Sequence, residues 1–257
     1  MSALARQNLA PVRPNVNVRG EKEPQLNDRK LSQRLERVAA HVPVGARLAD
    51  IGADHGYLLV ALMNREVIAA GVAGEVALTP FRSAERAVRE QGLGDRISVR
   101  LANGLAAITT EDGITAISFC GMGGETIRDI LERDRAQLSG NERLILQPNG
   151  GEQPLRQWLM FNGYRILSED LLQENRFYYE IIVAERAAPV TYSPEELYFG
   201  PLLLQARSPV FLAKWQRMLR LKRRTLSSFV RAKQRVSEAR VNELEQQTVW
   251  ISRLLER

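Results

Sequence analysis

The residues of this 257-residue chain best suited to chemistry lie together in Leu48-Ala-Asp-Ile-Gly-Ala-Asp-His-Gly-Tyr-Leu58. Two carboxylates, Asp50 and Asp54, alternate there with Gly52 and Gly56. Glycine accepts positive φ and leaves space for a ligand beside the backbone. A helix opening at Tyr57 would point unpaired N–H groups into the same crevice. Together these are the means to hold a nucleoside-type cofactor. The Gly-x-x-x-Gly spacing departs from the Gly-x-Gly-x-x-Gly of dinucleotide sites, which argues against a dehydrogenase.

Further polar and glycine residues recur where apolar runs end. Glu75 closes the next run, and a carboxylate there can accept hydrogen bonds from both ribose hydroxyls. Asn103-Gly104 closes a third run; the Asn amide suits a nucleobase amino group, and Asn-Gly is equally a common turn pair. Cys120-Gly-Met-Gly-Gly124 gives compliant backbone, with Met122 able to lie against an apolar or aromatic face. Gln147-Pro-Asn149 follows the fifth run. Cys120 has no His or other base near it in sequence and reads as a small core residue. His41 reads as structural, and His55 sits in the glycine turn beside a prospective ligand.

These residues need strands that end in one crevice. Apolar runs predict strands over 47–51, 69–76, 96–102, 113–120 and 142–146, alternating with helices over 30–42, Tyr57–Asn64, 80–91, 125–133 and Glu152–Phe161. That alternation predicts a parallel sheet with helices on both faces. Two further strands, 164–172 and 177–185, are joined by Gln173-Glu174-Asn175-Arg176 as a hairpin, adding an antiparallel edge pair. The fold class is therefore α/β, a class I methyltransferase Rossmann-like sheet. Ligands in such sheets bind at the carboxyl ends of the strands.

Residues 187–209, with Pro189, Pro194, Pro201 and Pro209, read as a linker. Beyond it Leu212, Trp215, Leu219, Leu226 and Phe229 form one heptad-like stripe, and Val241, Leu244, Thr248, Ile251 and Leu255 a second. An antiparallel helical hairpin turning near 235–240 would bury both, as a coiled-coil extension. The expected organisation is a flexible basic tail at 1–28, a methyltransferase domain at 29–188, and linker plus helical hairpin at 189–257.

Apolar residues make up 44% of the chain, enough for a core, and no apolar run has the length of a membrane span. A single cysteine excludes an intramolecular disulfide and fits a reducing, cytoplasmic setting. With two histidines besides, a zinc site is not expected. The net charge of +6 is concentrated. Residues 210–235 hold nine cations (Lys214, Arg217, Arg220, Lys222, Arg223, Arg224, Arg231, Lys233 and Arg235) and no acid. That pattern is better explained by phosphate contacts than by solvation.

Leu31-Ser-Gln-Arg-Leu35, Asp50-Ile-Gly-Ala-Asp-His-Gly-Tyr-Leu58, Gly74-Glu75, Gly121-Met-Gly-Gly124, Leu144-Ile-Leu-Gln-Pro-Asn149 and Tyr179-Glu180 together resemble the TrmK family. Those are bacterial tRNA adenine-N1 methyltransferases that use S-adenosyl-L-methionine. The resemblance implies a monomer without metal, acting on tRNA at adenine 22. It places Asp50, Gly52, Asp54, His55, Gly56, Tyr57, Glu75, Asn103, Gly104, Cys120 and Gly121 around the cofactor. Asp54, Met122 and Asn149 are the expected catalytic residues. Gly123, Gly124, Gln147 and Pro148 should face the acceptor base, and Lys214, Arg217, Lys222, Arg223 and Arg224 the tRNA backbone. The family usually has Gly-Asp-Gly where this chain has Ala102-Asn103-Gly104, Ala at Cys120, and often Ser at Ala53. The competing readings are a methyltransferase for another RNA or a small molecule, which needs no basic helix, and a non-catalytic RNA-binding protein, which needs no cofactor crevice.

Overall fold

The computed structural model describes residues 31–229 and 237–256. The expected tail at 1–28, and Arg231, Lys233 and Arg235, lie outside the described residues. The strands are β1 (Ala46–Ile51), β2 (Ile68–Glu75), β3 (Ile97–Leu101), β4 (Ala116–Met122), β5 (Arg143–Pro148), β6 (Tyr164–Glu174) and β7 (Phe177–Arg186). They form one sheet in the order β3-β2-β1-β4-β5-β7-β6. Pairing is parallel from β3 through β5, and β7 is antiparallel to both β5 and β6. The order reverses between β1 and β4, and the crevice at such a switch point opens beside the carboxyl ends of both strands.

Helices α1 (Gln33–Ala39), α2 (Tyr57–Asn64) and α3 (Leu78–Glu90) cover one face, burying Val38, Leu59, Met63 and Val88 with Leu48. On the opposite face α4 (Gly124–Arg133) and α5 (Glu152–Phe161) bury Ile127, Leu131, Leu155 and Leu159 with Ala49 and Ile51. Alternate β1 residues thus serve opposite cores, which is why the central strands read as unbroken apolar runs.

The structure corrects three boundaries. β4 starts at Ala116 because Gly113, at φ +56, ends a tight turn over Thr110–Asp112. It continues through Met122 because a bulge between Cys120 and Met122 preserves pairing with Pro148. Residues 187–209 are more than a linker. They carry α6 (Pro194–Phe199), capped by reciprocal Ser193 and Glu196 hydrogen bonds, and α7 (Pro201–Ala206).

The hairpin is formed by α8 (Pro209–Phe229) and α9 (Glu238–Glu256). Its buried residues are Phe211, Trp215, Leu244, Ile251 and Leu254, whereas Leu212, Leu219, Leu226, Phe229, Val241, Thr248 and Leu255 are only partly buried. The heptad seam is displaced because α8 and α9 also pack on Phe199 and Leu203 of α6 and α7, forming a third core.

Candidate active site

The first wall of the crevice is the β1 end. Asp50 is buried, and Ser118 Oγ donates to its Oδ1 at 2.6 Å. Burial pushes the Asp50 carboxyl up to about 6, against the opposing pull of Ser118 and Arg34. Gly52, at φ +73, turns the chain out of the strand. A Cβ on it would stand 2.9 Å from Met122 Cε, so glycine keeps the crevice open on that side. Asp54 is also left-handed, at φ +53, a conformation that Asp tolerates better than most residues. That geometry aims its backbone N–H at Glu75 Oε1. Glu75 is 5% exposed, and burial raises its pKa. Its Oε2 has no hydrogen-bond partner among the described residues, so one carboxylate oxygen stays free for a hydroxyl donor. Gly56 is the left-handed N-cap of α2.

The second wall is a hydrogen-bonded clamp between β4 and β5. Gln147 is fully buried; its Oε1 accepts from Gly121 N–H at 3.1 Å and from Arg34 Nη1. Its Nε2 donates to Pro148 O at 3.0 Å and to Asn149 Oδ1 at 3.1 Å. Asn149 Nδ2 in turn donates to Gly121 O at 2.9 Å. The arginine can only donate, so it fixes the orientation of both amides. Gly124 N–H donates to Gly150 O at 2.7 Å. A Cβ at Gly124 would lie 2.1 Å from Gly151 O, so only glycine lets these two turns meet.

Of the expected residues, Asp50, Gly52, Asp54, Gly56, Glu75, Gly121, Met122, Gln147, Pro148 and Asn149 fall on these two walls. His55 and Tyr57 stack at 5.0 Å, and His55 Nε2 is 3.6 Å from Asp54 Oδ1. Gly123 caps α4. Asn103 is exposed, and its Oδ1 accepts from Arg133 Nη2 at 3.3 Å. Gly104 is buried against Ile130, Arg133 and Asp134. Burial holds the Cys120 thiol well above its usual pKa, which keeps it unreactive.

The expected tRNA contacts on α8 divide. Lys214 does not fit the role: its side chain is 12% exposed and its ammonium pairs with buried Glu180. Glu180 also takes Arg156, which pairs with Glu169 at 2.7 Å, so Lys214 belongs to a buried ion cluster spanning α5, β6, β7 and α8. Lys222 is partly buried and donates to Gln247 Oε1 at 2.5 Å, and burial, then Arg240, lowers its pKa. Arg217, Arg223 and Arg224 are exposed.

The sequence reading overlooked Arg34, Ser118 and Tyr179 as parts of the site. Arg34 lies over the Tyr179 ring at 5.6 Å while holding Gln147. Its only sequence signal is its place in Leu31-Ser-Gln-Arg-Leu35.

Among the described residues no helix is long and apolar enough to cross a membrane. No group of three or more His, Cys, Asp or Glu among them is placed to hold a metal ion.

A model of the tRNA (adenine(22)-N(1))-methyltransferase family, TrmK, matches residues 48–252. The chain is 42% identical over 200 residues to the tRNA (adenine(22)-N(1))-methyltransferase of Bacillus subtilis, spanning 76% of this chain and 83% of that one. The crystal structure of B. subtilis TrmK matches with a TM-score of 0.81 at 34% identity, covering 88% of this chain and 99% of that one. A putative tRNA (m1A22) methyltransferase of Streptococcus pneumoniae, solved in complex with S-adenosyl-L-methionine, matches with a TM-score of 0.80 at 40% identity, covering 88% and 100%. The glycine turn, the free Glu75 oxygen and the amide clamp sit on a sheet shared along nearly the whole chain with these enzymes, and the protein belongs to the TrmK family of tRNA (adenine(22)-N(1))-methyltransferases.

Proposed function

We propose that the protein transfers a methyl group from S-adenosyl-L-methionine to N1 of adenine 22 in tRNA, as a cytoplasmic monomer that uses no metal. The observation that carries this reading is the crevice itself. One wall offers a glycine turn and a Glu75 carboxylate oxygen with no hydrogen-bond partner among the described residues for a nucleoside, and the other offers the exposed, fixed amide of Asn149 for a base. Glu75 Oε2 would accept from the ribose, with Gly52 and Gly56 giving the close backbone approach. Asp50, His55, Tyr57, Gly104, Cys120 and Gly121 would complete that side, and Asn103 would meet the adenine of the cofactor.

When bound, S-adenosyl-L-methionine supplies an electrophilic methyl on a sulfonium. Adenine N1 has an in-plane lone pair and needs no base beforehand. The task of the protein is alignment, which falls to Met122, the Gly123 and Gly124 turn, Gln147, Pro148 and Asn149. N1-methylation leaves the ring cationic and its exocyclic amine acidic. Asp54, whose side chain is 74% exposed at the crevice mouth, is placed to stabilise that charge and take the proton. N1 lies on the Watson–Crick edge, so the target base must be unpaired or extruded. The exposed Arg217, Arg223 and Arg224 of α8 would meet the RNA backbone.

The experiment is incubation of the full chain with methyl-labelled S-adenosyl-L-methionine and tRNA, beside calorimetry of cofactor binding. Label recovered in tRNA supports the reading; cofactor binding with no label in tRNA points to another acceptor.

A further inference from the structure

Between the amide clamp and the helical hairpin runs a cleft of about 500 Å³ that the reaction has not used. One side is Gly150 and Gly151, immediately after Asn149; the β6–β7 turn adds Arg176, Phe177 and Tyr178, and α8 adds Arg217. Other cations reach the cleft, but Lys214 is taken up by Glu180, Arg240 by Glu243 at 2.9 Å, and Lys222 by Gln247 Oε1 at 2.5 Å. Arg176 and Arg217 have no carboxylate partner among the described residues. Each lies on an aromatic ring, Arg176 over Phe177 at 5.6 Å and Arg217 over Tyr178 at 6.0 Å. Arg217 Nη1 also donates to Arg176 O at 2.6 Å, tying hairpin to helix. Phe177 remains 54% exposed despite its size.

Guanidiniums without a carboxylate partner, each over a ring and beside a large exposed aromatic face, suit alternating phosphates and bases of a single strand. The volume is that of a small-ligand site. We propose that this cleft holds the ribonucleotide flanking the target adenine, with its phosphates on Arg176 and Arg217 and its base stacked on Phe177. This rests on RNA being the acceptor, and it moves the main RNA grip from the open face of α8 to a two-sided cleft that begins at Gly150, the residue after Asn149.

The test measures binding of bacterial tRNA by the full chain across a salt series, with calorimetry of S-adenosyl-L-methionine binding and label transfer on the same samples. For Arg176→Ala/Arg217→Ala the tRNA Kd should rise at least about tenfold and the salt slope should fall by roughly two, one for each lost phosphate contact. Phe177→Ala should weaken binding about tenfold with the slope unchanged, since stacking releases no counterions. Cofactor affinity should stay at wild-type level in both, showing an intact fold. Wild-type affinity and slope in the double variant would overturn the proposal. RNA binding that depends on the cleft, but without label transfer by the wild type, would contradict the reaction and leave the cleft standing. Absence of RNA binding by the wild type would overturn both.

Discussion

Asp50 and Asp54 stand four positions apart and meet opposite environments. Asp50 is sealed under Ser118, and burial moves its pKa from 3.8 to about 6. The folded chain therefore holds a proton that the unfolded chain has lost, and wild-type stability falls as pH rises through the window from about 4 to 6. Asp50→Asn keeps the oxygen that accepts from Ser118 and removes the charge. Its stability advantage should be small at pH 4 and reach at most about 3 kcal/mol above pH 7. Urea denaturation at the two pH values measures this, and an equal gap at both would contradict it. Asp54, open to the crevice mouth, should act on turnover instead. Asp54→Asn suits the left-handed backbone and keeps the N–H to Glu75, so cofactor affinity should hold while kcat falls about a hundredfold. Undiminished turnover would remove Asp54 from the chemistry. Both acids were legible because each stands two residues before a glycine in a short strand–turn–helix motif. Arg34 was not, because it meets Gln147 across 113 positions of sequence and carries no local mark of that contact.

At the scale of elements, strand ends were legible wherever apolar runs stop at glycine or a polar residue, as at Ile51-Gly52 and Glu75. The Gly121 bulge and the helices at Pro194–Phe199 and Pro201–Ala206 were not. Pairing across a bulge depends on the partner strand, and four prolines in 187–209 read as a break although Pro194 and Pro201 each open a helix. The junction these helices complete rests on Arg156, which is fully buried between Glu169 and Glu180. Burial opposes its charge, and Glu180, Glu169 and Glu152 together hold it protonated. Glu180 remains ionised against its own burial through Lys214 and Arg156. Arg156→Met leaves two acids buried with less compensation, and should cost about 3–5 kcal/mol in chemical denaturation. A loss under about 1 kcal/mol would show that the cluster is not needed for stability. The Tyr179-Glu180 pair, quoted above for its resemblance, thus proves to join a ring under Arg34 to the hub of this cluster.

For the whole molecule, the alternation of strands and helices with a terminal hairpin was enough to identify the sheet. The placement of the helical pair needed the third core, because Phe211 and Trp215 face Phe199 and Leu203 as well as α9. This packing sets α8 beside the β6–β7 turn and brings a cationic, aromatic cleft up to Gly150, the residue after Asn149. The crevice is proposed to methylate N1 of one particular adenine. The most direct test is nucleoside mass analysis of tRNA after reaction with S-adenosyl-L-methionine, run beside the same tRNA carrying guanine at position 22. The expected result is 1-methyladenosine in the first and none in the second. Equal 1-methyladenosine in both would contradict the assigned position, and a different methylated nucleoside would contradict the assigned reaction.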